Sequence, residues 1–209
     1  EIVFTSGGTE SDNAAVHGIA FAMRELGRDC LVTSAIEHRA VLAPMDQLTK
    51  EGFHTTVLPV DRHGVVDMAS LQDALGPKTA LVSIMLANNE IGTIQPIAEI
   101  SALAHSAGAM MHTDAVQAAG KLPVDVKALG VDSLSLSAHK FYGPKGVGVM
   151  YVKKGTPYQC FMLGGTHEGG RRAGTVPLPQ IAALAKALEI SERKRLEHGA
   201  ELKGLRDQL

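Results

Sequence analysis

Along the 209-residue chain, hydrophobic and polar positions switch repeatedly between short apolar runs and stretches with a spacing near 3.6 residues. The short runs predict strands over 1–4, 30–34, 54–60, 79–86, 109–112, 130–137 and 146–152. The helical spacing predicts helices over 14–26, 40–48, 68–75 and 97–107. A further long helix starts at Leu178 and carries Ile181, Leu184, Ala185, Leu188 and Ile190 at core-like intervals. Strand and helix alternate through most of the chain, which predicts an α/β fold: a three-layer sandwich with a mostly parallel sheet and helices on both faces. The run 79–86 is apolar throughout, as expected of a strand buried on both sides. No proline- or glycine-rich linker interrupts the pattern, so 1–209 reads as one domain.

Composition narrows the classes. The chain is 45% hydrophobic and 20% charged, which is enough apolar matter for a soluble globule. The net charge is −2 and no Lys/Arg cluster is interleaved with aromatics, so a nucleic-acid partner is not expected. No apolar run approaches the roughly 18 residues of a membrane span, and no signal peptide precedes the first strand, which suggests a cytoplasmic protein. Two cysteines, Cys30 and Cys160, are too few for a disulfide framework and read as packing residues. The chain starts on a strand without a methionine and ends inside a helical pattern, so both ends read as cut.

The chemistry gathers at the predicted strand ends. The alternating run 131–136 leads into Ser137, His139 and Lys140, placing a hydroxyl, an imidazole and an amine where a strand stops. In parallel α/β sheets such ends line the ligand crevice. A lysine desolvated there can form a Schiff base with a carbonyl compound or with pyridoxal phosphate. The segment after the first strand, with Gly7, Gly8 and Thr9 ahead of a helix, can turn backbone amides and the helix dipole toward a phosphate. It is not a P-loop, because the glycine-lysine-threonine element is missing. His38, Asn89, Asp114 and Gln117 also fall at or just past strand ends. His112 and Asp114 lack a third partner at metal-ligand spacing, so Asp114 reads better as the partner of a buried cation. Together these groups offer what pyridoxal 5′-phosphate needs: an amine for its aldehyde, an acid beside its pyridine nitrogen, and donors for its phosphate.

The motifs SGGTESDN, EHRAV, NNEIGTIQP, HTDAVQAAGK, SAHKFYGPKGVG and GGTHEGGRRAGT occur in an order and at spacings that resemble cysteine desulfurases of the NifS/IscS type. These belong to the class V aminotransferases, on the aspartate-aminotransferase-like fold of pyridoxal-phosphate enzymes. The resemblance implies that Lys140 carries the Schiff base to the cofactor and that Asp114 pairs with the pyridine nitrogen. It implies that His38 stacks on the ring and takes part in proton transfer. Asn89 and Gln117 would lie near the phenolic oxygen, and Gly8, Thr9, Ser137 and His139 would hold the phosphate. Thr175 would reach the phosphate of a neighbouring subunit, making a homodimer part of the site. In that family a mobile enzyme cysteine takes the sulfur of L-cysteine as a persulfide and leaves L-alanine, and a sulfur-acceptor protein follows, in iron–sulfur cluster assembly or thiolation.

Departures from the family matter to this expectation. The sulfur-accepting cysteine of the family lies downstream of the glycine-rich stretch, and neither Cys30 nor Cys160 matches it. The arginine that binds the substrate carboxylate in the family's C-terminal domain has no match either. The chain is therefore expected to be the cofactor-binding large domain, with 176–209 forming a helix that leads toward a small domain, and to be incomplete for turnover by itself. Gly8 stands where alanine is usual, and Thr166, Gly169 and Ala173 replace the commoner glycine, arginine and serine. Two other readings share the motifs or part of them: a selenocysteine lyase or related class V aminotransferase, and a non-catalytic dimerisation or scaffold fragment.

Overall fold

The computed structural model describes residues 1–208. Strands β1 (Ile2–Thr5), β2 (Cys30–Ser34), β3 (His54–Leu58), β4 (Thr79–Ser83), β5 (Met110–Asp114), β6 (Ser133–Ser137) and β7 (Gly148–Val152) form one sheet in the order β1-β7-β6-β5-β4-β2-β3. Helices α1 (Gly8–Glu25), α2 (Arg39–Lys50), α3 (Met68–Ala74), α4 (Ile97–Ser106), α5 (Val126–Leu129) and α6 (Leu178–Arg206) connect or follow the strands. The five strands β6 to β3 are mutually parallel, as the alternation with helices predicts. The last two pairings are antiparallel: β7 runs against β6, and β1 against β7. No crossover helix lies between β6 and β7, only a 3-10 turn (Ala138–Phe141) and a tight loop, so the chain returns alongside the strand it has just left.

Neighbouring residues of one strand feed opposite layers, because side chains alternate along it. Leu31 of β2 packs with Val16, Ile19, Val41, Met45 and Leu48 of α1 and α2, while the next residue, Val32, packs with Leu71 of α3 and Ile97, Ile100 and Ala104 of α4. These are the two helical layers of the sandwich. The α1–α2 packing includes one polar accommodation. Pro44, inside α2, has no N–H for the Ala40 carbonyl, and the Asn13 side chain of α1 donates to that carbonyl at 3.3 Å instead.

Several boundaries differ from expectation for local reasons. Helix α1 starts at Gly8 rather than residue 14, because its first turn is polar and shows no apolar periodicity. Strand β4 closes at Ser83, yet the amides of Ile84 and Leu86 still donate to the His112 and Asp114 carbonyls, so the extended segment reaches the end of β5. The short α5 was not expected; Asp125 caps it through the amides of Lys127 and Ala128, and Gly130 closes it in the left-handed region. Around Cys160 the chain is irregular, and Cys160 is half-buried with its thiol directed to the Met162 carbonyl at 3.0 Å. Helix α6 buries Leu184 and Ser191 against the 3-10 turn, but Ala185 and Ile190 face outward.

Candidate active site

Two antiparallel steps, β6 to β7 and β7 to β1, restore the direction of β1 to that of the central strands. The C-terminal ends of β1, β2, β4, β5 and β6 therefore meet at one edge of the sheet, where open α/β sheets bind ligands. A cavity of about 250 Å³ opens there, lined by Gly8, Thr9, Asp12, His38, Met85, Asn89, Asp114, Val116, Gln117, Ser137, His139 and Lys140. Nine of the ten residues expected from the sequence are in that lining. Thr175 is not; it lies exposed in the loop before α6.

Each group is delivered by the element that ends beside it. Lys140 is half-buried in the 3-10 turn that follows β6. Asp114 is the last residue of β5 and is buried, its Oδ1 accepting the Val116 amide at 2.8 Å. Burial pushes its carboxyl pKa up, opposed by the Val116 hydrogen bond and by the electrostatic influence of His38 and Lys140. His38 caps α2: its Nδ1 accepts the Ala40 amide at 3.1 Å, which leaves the ring proton on Nε2. Ser137 and His139 are joined by a 3.0 Å hydrogen bond between Oγ and Nδ1. Burial, then the charges of Lys140 and Lys145, hold the His139 pKa below the usual histidine value, so the ring is neutral at pH 7. Gln117 accepts from Lys121 at 3.1 Å, and Asn89 is exposed at the rim. The adjacent Asn88 is structural: it donates to the Ile36 carbonyl and accepts the amides of Glu90 and Ile91.

At the phosphate end the first turn of α1 has no side-chain cap, so its leading amides are free for an anion. Glu10 would oppose an anion there, but its carboxylate is taken by the Ser6 amide at 2.8 Å and by a bidentate contact with Arg172 at 2.8 and 3.2 Å. Burial raises the Glu10 pKa, and the hydrogen bonds from Arg172 and Ser6 outweigh it, leaving the group below the usual carboxylate value. A Cβ on Gly8 would lie 2.7 Å from Val116 Cγ2 and 3.3 Å from Ser137 Cβ, so glycine keeps the helix start close to β6.

Asp12, Met85 and Val116 line the cavity without having been singled out in the sequence. Asp12 is fully buried, its Oδ1 has no hydrogen-bond partner among the described residues, and it lies 3.7 Å from His112 Nε2. Burial, then repulsion from Asp114, raises its pKa well above the ordinary value. His112 bridges Ser83 and Ser135 at 2.8 and 3.0 Å, and burial lowers its pKa to about 3, so it is a neutral post between β4 and β6 rather than a metal ligand. Asp12 lies in the polar run Thr9-Glu10-Ser11-Asp12-Asn13, which reads as a solvated helix start, so only the packing of α1 shows that it is buried.

The donor set fits pyridoxal 5′-phosphate. Uncapped amides, a serine and a histidine stand at one end, an amine at the side, and a buried acid at the other. The family model "Aminotransferase class-V" matches residues 1–206. A cysteine desulfurase IscS of Dictyoglomus turgidum is 51% identical over 207 residues, covering 99% of this chain and 52% of that protein. Another, of Methanosarcina thermophila, is 51% identical over all 209 residues and is covered to 52%. A solved structure described as a NifS-like protein superposes with a TM-score of 0.96 at 41% identity, covering 100% of this chain and 57% of that one. The chain spans about half the length of the curated relatives it matches. With this fold, this match and this cavity, the chain belongs to the class V aminotransferase family of pyridoxal-phosphate-dependent enzymes.

Proposed function

We propose that the protein is a cysteine desulfurase, taking sulfur from L-cysteine, leaving L-alanine and giving an enzyme persulfide. The observation that carries this reading is the meeting of Lys140, Asp114 and His38 in one cavity beside an uncapped helix start. When bound, pyridoxal 5′-phosphate supplies an aldehyde for an amine to condense with and an electron-accepting ring. Lys140 would hold the group's aldehyde end, and its Nζ could move a proton to or from a substrate carbon beside it. Asp114, buried with His38 and Lys140 nearby, would pair as a carboxylate with the ring nitrogen and so keep that nitrogen protonated. His38, with its proton on Nε2, would stand against the ring and could protonate a leaving group, while Asn89 and Gln117 would hold the phenolic oxygen. Gly8, Thr9, Ser137 and His139 hold the phosphate. In the balanced reaction the substrate C–S bond breaks, the sulfur passes to a thiol to form the S–S bond of a persulfide, and the substrate carbon gains a proton.

Neither Cys30 nor Cys160 lines the cavity, so the accepting thiol is assigned to a segment outside residues 1–209. Residues 1–209 are read as the cofactor-binding large domain, and α6, mostly exposed over its 29 residues, as the arm leading to a small domain. Thr175, exposed beside α6, is assigned to the phosphate of a second subunit in a homodimer. A sulfur-acceptor protein in a cytoplasmic iron–sulfur or thiolation pathway is the proposed partner; the names of the IscS relatives support it. Among the described residues no helix is long and apolar enough to cross a membrane. The test is spectroscopic: the protein reconstituted with pyridoxal phosphate should show a visible absorption band that Lys140→Ala abolishes. Alanine release from L-cysteine should depend on that band, and a band retained in Lys140→Ala would overturn the assignment.

A further inference from the structure

We propose that Glu37 is the positioning residue for His38, its buried carboxyl stapling the 35–38 turn to the end of β4. This rests on the cofactor-site reading of the cavity and deepens it. Glu37 precedes His38 but points the other way: it is buried, whereas His38 is exposed to the cavity. Its Oε1 accepts two hydrogen bonds, from Ser34 Oγ at 2.5 Å and from the Met85 amide at 3.0 Å. Ser34 ends β2 and Met85 follows β4, so one oxygen gathers two neighbouring strands and the turn between β2 and α2. Asn88 makes the second stitch, donating to the Ile36 carbonyl at 2.9 Å. With the ring's own Nδ1 bound to the Ala40 amide, His38 is fixed from both sides. Met85 and Asn89, on the stapled segment, line the same cavity as His38.

The staple has a charge state. Its second oxygen, Oε2, is buried and without a partner among the described residues. Burial is the main reason the Glu37 pKa rises to about 8, with Asp114 adding to it and the Ser34 and Met85 hydrogen bonds opposing it. The charged and titratable groups around it are Asp114 on β5, Asp12 on α1, and His38, Arg39 and Glu90 at the adjoining cleft. At pH 7 the staple is a neutral acid. Above about pH 8 it becomes a buried anion with one unsolvated oxygen, which strains the turn that carries His38.

The variants Glu37→Gln and Glu37→Ala separate the staple from a simple packing role. Glutamine keeps the accepting oxygen and stays neutral at every pH; alanine leaves the Met85 amide without a partner. With pyridoxal phosphate saturating, Glu37→Ala is expected to lose most of the induced circular dichroism of the bound cofactor. It should also bind the cofactor about tenfold more weakly, or ~1.4 kcal/mol. Glu37→Gln should retain both. Leu71→Ala, a truncation of the fully buried Leu71 in α3, controls for lost stability and should keep the dichroism. In the cofactor-free protein, the His38 ring resonances should show an inflection near pH 8 that is missing in Glu37→Gln. Wild-type dichroism in saturated Glu37→Ala, or the same His38 pH course in wild type and Glu37→Gln, would refute the staple. If the wild type binds no cofactor while the His38 inflection still depends on Glu37, the desulfurase reading falls and the staple stands.

Discussion

The ion pair between Glu10 and Arg172 joins the start of α1 to the glycine-rich loop, and its removal makes a quantitative test of the site's electrostatics. The side chains are 10% and 14% exposed and the contact is bidentate. Exposed pairs contribute ~0–1 kcal/mol. Removing one member of a fully buried pair costs ~3–5 kcal/mol, because the other charge is stranded. This pair lies between those limits, and the coupling energy in a double-mutant cycle of Glu10→Gln and Arg172→Met should be about 2 kcal/mol. Urea unfolding of the four proteins at pH 7 measures it. The acid limb gives the sign. The folded pKa of Glu10 is lowered, so its contribution is complete above the unfolded carboxylate value near 4.3 and is lost as pH falls through the folded pKa. In Arg172→Met, burial is the largest remaining influence and raises that pKa, so the stability gap to wild type should widen as pH rises from 4 to 7. The stranded charge also sits in the first turn of α1, so pyridoxal phosphate should bind more weakly to Arg172→Met and recover in the double variant. A coupling below ~0.5 kcal/mol, the scale of an exposed pair, would refute the argument.

Three other perturbations test separate parts. Asp114→Asn removes the buried acid assigned to the ring nitrogen and, in the full-length protein, should lower alanine release from L-cysteine by at least about 100-fold, the scale of losing a positioned proton-transfer group, while the protein remains folded by circular dichroism. His112 binds a proton in the unfolded chain below about pH 6.5 but stays neutral in the fold down to about pH 3. It should therefore make stability fall by ~1.4 kcal/mol per pH unit between those values, and His112→Asn should flatten that limb in chemical denaturation. Gly148 of β7 has no room for a side chain, since a Cβ there would lie 2.6 Å from the Gly7 carbonyl carbon and 2.8 Å from the Leu136 carbonyl oxygen. Gly148→Ala should cost ~1–3 kcal/mol in thermal or urea unfolding, because backbone, not a flexible side chain, must move.

The parallel core and its helical layers were legible because each apolar run had the length and period of one element, as with Leu31 and Val32 feeding opposite layers. Lys140, Asp114 and His38 were legible because polar groups closing apolar strands are conspicuous. The direction of β7 was not, since apolar periodicity does not say whether a strand returns beside its predecessor. Asp12 was hidden by its place inside a helix, where an isolated acid reads as a solvated residue until the packing of α1 on β5 and β6 is known. Glu37 was hidden by its neighbour, because a turn of 35–38 does not reveal which of two adjacent polar residues faces inward. For α6, the spacing of Ala185 and Ile190 matched a buried stripe, yet only the stretch from Ile181 to Ser191 meets the 3-10 turn.

The pairing of β1 with β7 sets Ile2 opposite Tyr151. The strand that introduces the anion-holding turn is therefore hydrogen-bonded along one side to a strand that leaves the ribosome far later, and among the described residues it has no other partner in the sheet. Central strands β2 to β6 can associate through nearer neighbours while the N-terminal segment waits for closure of a very long loop. The end of the crevice assigned to the phosphate is thus expected to be completed late: a nascent chain stalled before residue 148 would have Ser137, His139 and Lys140 in place, but β1 would lack the strand that fixes the turn into α1.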